Sequence, residues 1–374
     1  MDRAPRRLRV FLTMPDRSLV RSTDRDYVHH RLPKLAERWP VDFVPNRAWV
    51  SRAYDDGRHA LNRALGLVLR RYEPPEHIWS VAPFPDDVDL AYAYGQFPRN
   101  FTRHTPIVWQ QTFAPIGAGG QLGHETEYGS SHIARDAWRR AIVKSRREAV
   151  ARAARIVVPS AVSRDHAVSL FPEARARVSV LPYYLPGLEP VEPAAIAARG
   201  DTTQRPVRLL FVGKEARRKG LGTLVGAWQM LDEATRARLS VTVVSKLIDG
   251  PMVLPPAWTH HGFVEDLYAL MAEHDVLVFP TRHEAYGLVL VEAMARGLAV
   301  VTTSAEVQRE IVGSAGGLFV DPFSVRELAA ALRELVHDPA RLPAMATANR
   351  ARFVAEYWHE VVGPAHMAVF AEVS

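Results

Sequence analysis

Twice along this chain, short apolar and β-branched runs alternate with helix-period stretches, and a proline-rich segment separates the two series. In the first series the strand-like runs are Arg7–Met14, Val41–Pro45, Asp89–Gly95, Pro106–Phe113, Arg155–Ser160 and Val178–Tyr183. Helical patterns fall at Asp24–Trp39 (with Pro33 bending it), Gly57–Tyr72, Ser131–Ala154 and Ala161–Leu170. In the second series the strands are Arg208–Gly213, Ser240–Lys246, Val276–Thr281, Leu298–Thr303 and Gly317–Val320, and the helices Leu221–Leu231, Val264–His274, Leu288–Arg296 and Ser324–Val336. Strands that read as continuous apolar runs between helices belong to parallel sheets covered on both faces. The stretch Pro182–Pro206 holds five prolines and little periodicity, and reads as a linker. With 374 residues the chain has room for about two domains. The expectation is an α/β protein of two Rossmann-like domains facing across a cleft, residues 1–200 and 206–352. The helical stretch Ala348–Val373 either ends the second domain or crosses back onto the first.

Composition narrows the class. No apolar run approaches the ~20 residues of a membrane-spanning helix. The basic opening MDRAPRRLRVFLTM has an apolar part too short and too strand-like for a secretory signal. The chain has no cysteine, which excludes disulfides, thiolate metal sites and a cysteine nucleophile, and suits a cytoplasmic enzyme. Residues 1–200 hold 30 basic and 21 acidic side chains, net +9; the remainder holds 17 and 20, net −3. A basic first half suits an anionic partner, such as a phosphate-bearing acceptor or an acidic membrane surface. A solvated arginine-rich surface accounts for the same charge. Only five of the 47 cations are lysines, and three of these, Lys214, Lys219 and Lys246, fall within 33 residues.

The segment 274–303, HDVLVFPTRHEAYGLVLVEAMARGLAVVTT, carries the densest chemical signal. A buried parallel strand ends near Thr281, a loop runs from Arg282 to Gly287, and a helix follows to Arg296. Loops after parallel strands lie at the carboxyl edge of the sheet, where open α/β folds bind ligands. Glu284 lies in that loop. Tyr286, Gly287, Leu288 and Val289 open the helix with unpaired amides, an anion site suited to a diphosphate. Gly287 lets the backbone approach a ligand closely. Glu292 follows one turn into the helix, so two carboxylates eight residues apart bracket the phosphate site and can hold a sugar and a ribose. A second element, LLFVGKEARRKGLGTLVGAW at 209–228, ends a strand at Gly213 and follows it with Lys214, Arg217, Arg218 and Lys219. Cations at that edge would neutralise a diphosphate leaving group. The plain structural accounts are a helix-entry carboxylate for Glu284, a solvated helix residue for Glu292 and a solubilising turn for the lysines.

These residues resemble a known family. The run Glu284-Ala285-Tyr286-Gly287-Leu288-Val289-Leu-Val-Glu292-Ala-Met-Ala is similar to the E-x7-E signature of retaining GT-B glycosyltransferases of glycosyltransferase family 4. Gly213–Gly220 resembles that family's V-G-R-L-x-x-E-K-G element, and His261-Gly-Phe-Val264 with Asp275 its "G.v...l...aD" stretch. Arg155–Ser160 resembles the strand before its domain crossover. The resemblance covers about 155–340 and is weak before it. It implies the GT-B fold, with Glu284 at the donor sugar, Glu292 on the ribose, and Lys214 and Lys219 on the diphosphate. It also implies that 353–374 return to the first domain. The chain departs from the pattern at Lys214, where the family has arginine, and at Ala285-Tyr286, where it has Gly-Phe. Leu298-Ala299 replaces x-Pro, and LPYYLPG replaces a Pro-Asn-Gly turn. Gln110-Gln111 stands where many members place a histidine, so no acceptor-side histidine role carries over.

Weaker signals are assigned no role. Asp87-Val-Asp89 matches a D-x-D metal motif but precedes its strand rather than following it. The glycine-rich 116–123 lacks the dinucleotide fingerprint spacing. His29-His30 and His260-His261 are adjacent pairs, without metal-ligand spacing. Arg135, Arg139, Arg140, Lys144, Arg146 and Arg147 share one helical pattern with apolar residues, which suits an anionic membrane or a surface helix.

The resulting expectation is a metal-independent retaining glycosyltransferase with no cofactor. Its donor is a nucleotide diphosphate sugar. Its acceptor is a glycan or lipid-linked glycan of bacterial polysaccharide or glycoconjugate synthesis. No nucleic-acid partner is expected, and the location is cytoplasmic or peripheral at the inner face of the membrane. A nucleotide-sugar sensor and a GT-B phosphorylase or epimerase are the alternatives. Donor turnover with acceptor separates the first; the epimerase needs no acceptor and the phosphorylase needs free phosphate.

Overall fold

The computed structural model describes residues 6–15, 27–46, 77–78, 85–95, 97–98, 105–113, 143–144, 146–199, 201–214, 216–246, 252–282 and 284–374. The expected helix Gly57–Tyr72, the glycine-rich 116–123 and the first half of the arginine-rich helix lie outside these residues. The chain divides into two compact units, 1–186 with 362–374, and 187–361.

The first unit holds a six-stranded sheet: β1 (Leu8–Pro15), β2 (Val41–Asn46), β3 (Leu90–Tyr94), β4 (Ile107–Gln110), β5 (Arg155–Val158) and β6 (Val178–Val180). Its order is β2-β1-β3-β4-β5-β6, and every pairing is parallel. Odd and even positions point to opposite faces. Ala91, Ala93, Ile107 and Trp109 join one apolar cluster with Phe113, Phe171, the helical residues Ala149 and Val150, and Ala153 just after them. Helix α1 (Ala161–Leu170) starts where the Ser160 hydroxyl accepts the amide of Ser163 at 3.0 Å, the usual device for satisfying a helix's first donors. The stretch expected as one helix to Trp39 is instead a π-turn at Tyr27–Arg31 followed by a 3-10 turn at Leu32–Glu37. Pro33 lacks the amide that a regular ladder needs, so the pattern tightens there.

The second unit repeats the plan. After α2 (Pro193–Ala197) come β7 (Val207–Val212), α3 (Leu221–Gln229), α4 (Glu233–Ala237), β8 (Leu239–Val244), β9 (Thr259–His261) and α5 (Leu267–Ala272). Then follow β10 (Val276–Phe279), α6 (Leu288–Ala295), β11 (Ala299–Thr303), α7 (Glu306–Gly316), β12 (Gly317–Val320), α8 (Val325–His337) and α9 (Leu342–Glu356). The parallel order is β9-β8-β7-β10-β11-β12. Central β10 and β11 are buried along their whole length, as expected of strands covered on both faces. On α8, Leu328, Ala331, Leu332 and Leu335 recur at helical spacing and are buried.

The linker reading needs correcting in part. Residues 193–197 are helical, and Leu188, Val191 and Ile196 are buried. Arg205 grips Asp275 through two bonds of 2.6 and 2.8 Å, and the Arg208 amide adds a third at 2.9 Å. Burial works to raise the Asp275 pKa; the Arg205 and Arg208 bonds override it and hold the carboxyl below its ordinary value. The stretch thereby closes the amino edge of the second sheet. Proline content marked where the helix ladder stops, not where packing stops.

Helix α10 (His359–Ala371) carries the chain from the second unit into the first, whose residues resume at Val362. Just before that point, Glu189 accepts from the Trp358 indole at 3.1 Å and pairs with His359 at 2.8 Å. Beyond it, Phe370 is fully buried edge-on to Tyr92. His366 is fully buried and bonded to the Pro182 carbonyl at 3.3 Å. A Cβ on Gly363 would stand 2.3 Å from the Trp39 ring. Among the described residues no helix is long and apolar enough to cross a membrane.

Candidate active site

Two loops at the carboxyl edge of the second sheet build the site. The loop after β7 leaves Gly213 and reaches α3 through Gly220, which sits at φ 82°. A Cβ on Gly220 would lie 1.9 Å from the Pro280 carbonyl oxygen. Only glycine takes that backbone at no steric cost. The Arg282 amide donates to the Arg218 carbonyl at 2.9 Å. The loop after β10 is therefore tied to the loop after β7 by backbone, and their side chains meet at fixed places.

Lys219 and Glu284 meet there as an ion pair. Their side chains retain 15% and 12% exposure. The Lys219 ammonium also stands 4.9 Å from the centre of the Phe279 ring. Gly213 makes room for it, since a Cβ there would come 2.7 Å from Lys219 Cγ. The second Glu284 oxygen accepts the Ala285 amide at 3.2 Å. Gly287, at φ 97°, turns the chain into α6. A Cβ there would be 3.3 Å from Glu284 Cγ. The first residues of α6, Leu288 and Val289, are half-buried, and Tyr286 beneath them is buried. The positive end of a helix dipole thus opens beside the Lys219–Glu284 pair.

Glu292, one turn along α6, accepts from the Tyr268 hydroxyl of α5 at 3.3 Å. Lys214 is exposed. Lys246 at the end of β8 lies 4.8 Å from the ring of Phe263, which follows β9 and is 68% exposed. Gly213, Lys219, Glu284, Ala285 and Gly287 are thus brought into direct contact. Lys214 and Glu292 lie along the same edge. Two contributors escaped the sequence reading. Phe279 looked like one more apolar strand residue, and Tyr268 carried no signal beyond its place in the "G.v...l...aD" stretch.

The first unit presents hydroxyls at its own carboxyl edge. Tyr94 donates to Tyr183 at 3.1 Å, and Thr112 lies 3.0 Å from the same oxygen. Gln111 donates to the Gly95 carbonyl at 3.2 Å, and Gln110 is buried. Burial raises the pKa of Tyr27 and of Tyr92, so both phenols stay protonated. Asp89 accepts from Arg6 and from the Arg9 amide at 2.8 Å each, and Asp87 pairs with Arg9, so the D-x-D carboxylates serve arginines ahead of β3. Among the described residues no group of three or more His, Asp or Glu could hold a metal. Arg146 is not a surface cation: it is buried, with its guanidinium 5.3 Å from the Phe113 ring centre.

Comparison with known proteins bears on both the site and the fold. The family described as "Glycosyl transferases group 1" matches residues 206–338, the span that holds every residue placed above at the second edge. The group 1 glycosyl transferase model is thus matched by this span alone, about a third of the chain. Glycogen synthase of Mycobacterium tuberculosis H37Rv is 26% identical over 226 residues, 58% of this chain and 53% of that protein. The chain thus spans about half the length of that relative. D-inositol 3-phosphate glycosyltransferase 1 of Catenulispora acidiphila is 26% identical over 373 residues, 89% of this chain and 81% of that one. Anabaena HepE, solved in complex with UDP and glucose, superposes with a TM-score of 0.59 at 15% identity, covering 97% of this chain and 99% of that chain. The two parallel-sheet units are those of the GT-B glycosyltransferase fold. Within the matched span, the Lys219–Glu284 pair lies in the two loops that precede α3 and α6.

Proposed function

We propose that this chain is a retaining glycosyltransferase of family 4 that moves a sugar from a nucleotide diphosphate donor to an acceptor held by the first unit. One observation carries the reading. Two lysines, two glutamates and a glycine-opened helix lie along the carboxyl edge of the second sheet. HepE, which shares the fold, was solved with UDP and glucose, and this supports a nucleotide-sugar donor. In the reading, Lys214, Lys219 and the amides of Leu288 and Val289 stabilise the negative charge that develops on the departing diphosphate. Glu284 faces the sugar and Glu292 the ribose. The acceptor hydroxyl attacks on the face the diphosphate leaves, which retains configuration.

The protein's own cations take the diphosphate charge, so the reaction runs without a divalent metal or cofactor. The acceptor is a glycan or lipid-linked glycan of polysaccharide or glycoconjugate synthesis, met in the cytoplasm or at the inner membrane face. The hydroxyls at the carboxyl edge of the first unit and the net +9 of residues 1–200 support that side for the acceptor. The test is a thermal-stability screen with UDP-, GDP- and ADP-sugars, followed by donor turnover with and without EDTA. Ligand binding raises the melting temperature by mass action. One donor class is expected to stabilise the protein, and its turnover to survive EDTA. No stabilisation by any donor overturns the donor site. Loss of activity restored by manganese overturns metal independence.

A further inference from the structure

Lys219 would meet the donor diphosphate, yet it already holds an anion. That anion is Glu284, the residue that would meet the donor sugar. Neither side chain is free to drift away. The Arg282–Arg218 backbone bond and the Gly220–Pro280 approach fix the distance between the two loops. Both side chains are largely screened from water, so the pair is weakened little by solvent. The Lys219 ammonium cannot offer its full charge to a phosphate while the carboxylate keeps it. Glu284 in turn cannot accept sugar hydroxyls on the oxygen that Lys219 occupies.

We propose that Glu284 acts as a built-in stand-in for the donor's phosphate, and that the Lys219–Glu284 pair is an exchange switch. This rests on the donor-site reading above and concerns how that site is regulated. An arriving diphosphate, met first by exposed Lys214, takes the carboxylate's place on Lys219. The displaced Glu284 then has an oxygen to give to the sugar. The catalytic carboxylate is thus released only when a diphosphate is present. After transfer, Glu284 returns to Lys219 and competes with the nucleoside diphosphate left behind, which speeds its departure. Removing one partner of a shielded ion pair leaves the other charge uncompensated. The switch therefore makes an unusual demand: deleting a carboxylate that touches the substrate must strengthen binding of the product.

The experiment is calorimetric titration of UDP, GDP and ADP into wild type, Glu284→Gln, Lys219→Met and the double variant. Glu284→Gln is expected to bind the preferred nucleoside diphosphate about tenfold more tightly than wild type, the scale of one charge-assisted contact no longer contested. In the Lys219→Met background the glutamine should bring no gain, because the contested cation is gone. Glu284→Asp, which keeps the charge on a shorter stem, should bring a smaller gain and serves if the glutamine variant does not fold. Binding to wild type with equal or weaker affinity in Glu284→Gln overturns the exchange switch and leaves the donor site standing. A gain that persists without Lys219 also overturns it. Absence of binding in every protein overturns the donor-site reading and the switch together.

Discussion

Glu284 and Glu292 are the same residue type eight positions apart, but their surroundings give them different work. Glu284 is held by a cation and a backbone amide; Glu292 is met by a neutral hydroxyl from another helix. A carboxylate oriented by a neutral hydroxyl keeps acceptor lone pairs for the diol of a ribose. Glu292→Ala should therefore weaken nucleoside diphosphate binding by about 1.5–3 kcal/mol, the range for hydrogen bonds to a charged group. Tyr268 acts through Glu292 and is a positioning residue. Its change to phenylalanine should cost about 0.5–1.5 kcal/mol, seen as a higher KM for donor with kcat unchanged. An equal fall in kcat would place the Tyr268 hydroxyl at the reacting centre instead. Unchanged affinity in both variants would remove the ribose role from this helix.

At the scale of elements, the two loops work because glycine stands at their tight points. Gly220→Ala forces a side chain into a left-handed backbone and into the Pro280 carbonyl, so the loops must part. A loss on the order of 2–3 kcal/mol is expected in urea unfolding, the large end for a single substitution, together with weaker donor binding as Lys219 moves off Glu284. A variant as stable as wild type would mean the loops adjust independently. The parallel strands and the helices between them were readable in advance because burial on both faces leaves an apolar run, as in VLVF at 276–279. The meeting of Lys219 with Glu284 was foreshadowed because each follows the end of an apolar strand and precedes a glycine that opens a helix. At 27–37 the local signal was Pro33, which reads as a bend in one helix but marks the change from a π-turn to a 3-10 turn. What else could not be read was set by distant partners. The structured part of 187–205 depends on Asp275, some 70 residues from Arg205. Arg146 looked like its charged neighbours in sequence, but it is buried against Phe113.

For the molecule as a whole, acid is the condition that should expose the weakest joint. His366 is fully buried, and burial lowers its pKa to about 4. The folded protein keeps it neutral while an unfolded chain takes up a proton below about pH 6.5. The stability this residue permits is present above pH 6.5 and drains away as pH falls toward 4. The accumulated loss is about 3 kcal/mol. Burial lowers the pKa of His274 as well, so it adds to the same trend. Urea midpoints measured from pH 7.5 to 4 should fall, and His366→Gln should flatten the fall. Parallel profiles for the two proteins would show that the histidine is not the sensor.

The placement of residues 362–374 in the first unit also has a consequence for how the chain is made. A ribosome delivers residues 1–186 before the second unit, and only afterwards the residues that pack against Tyr92 and Trp39. During synthesis the second unit can close on contacts already in hand. The first, although older, must wait with part of its core uncovered. Until residues 362–374 emerge, the nascent chain therefore pairs a finished domain with an unfinished one. The open face of the earlier domain is then the natural place for a chaperone to bind.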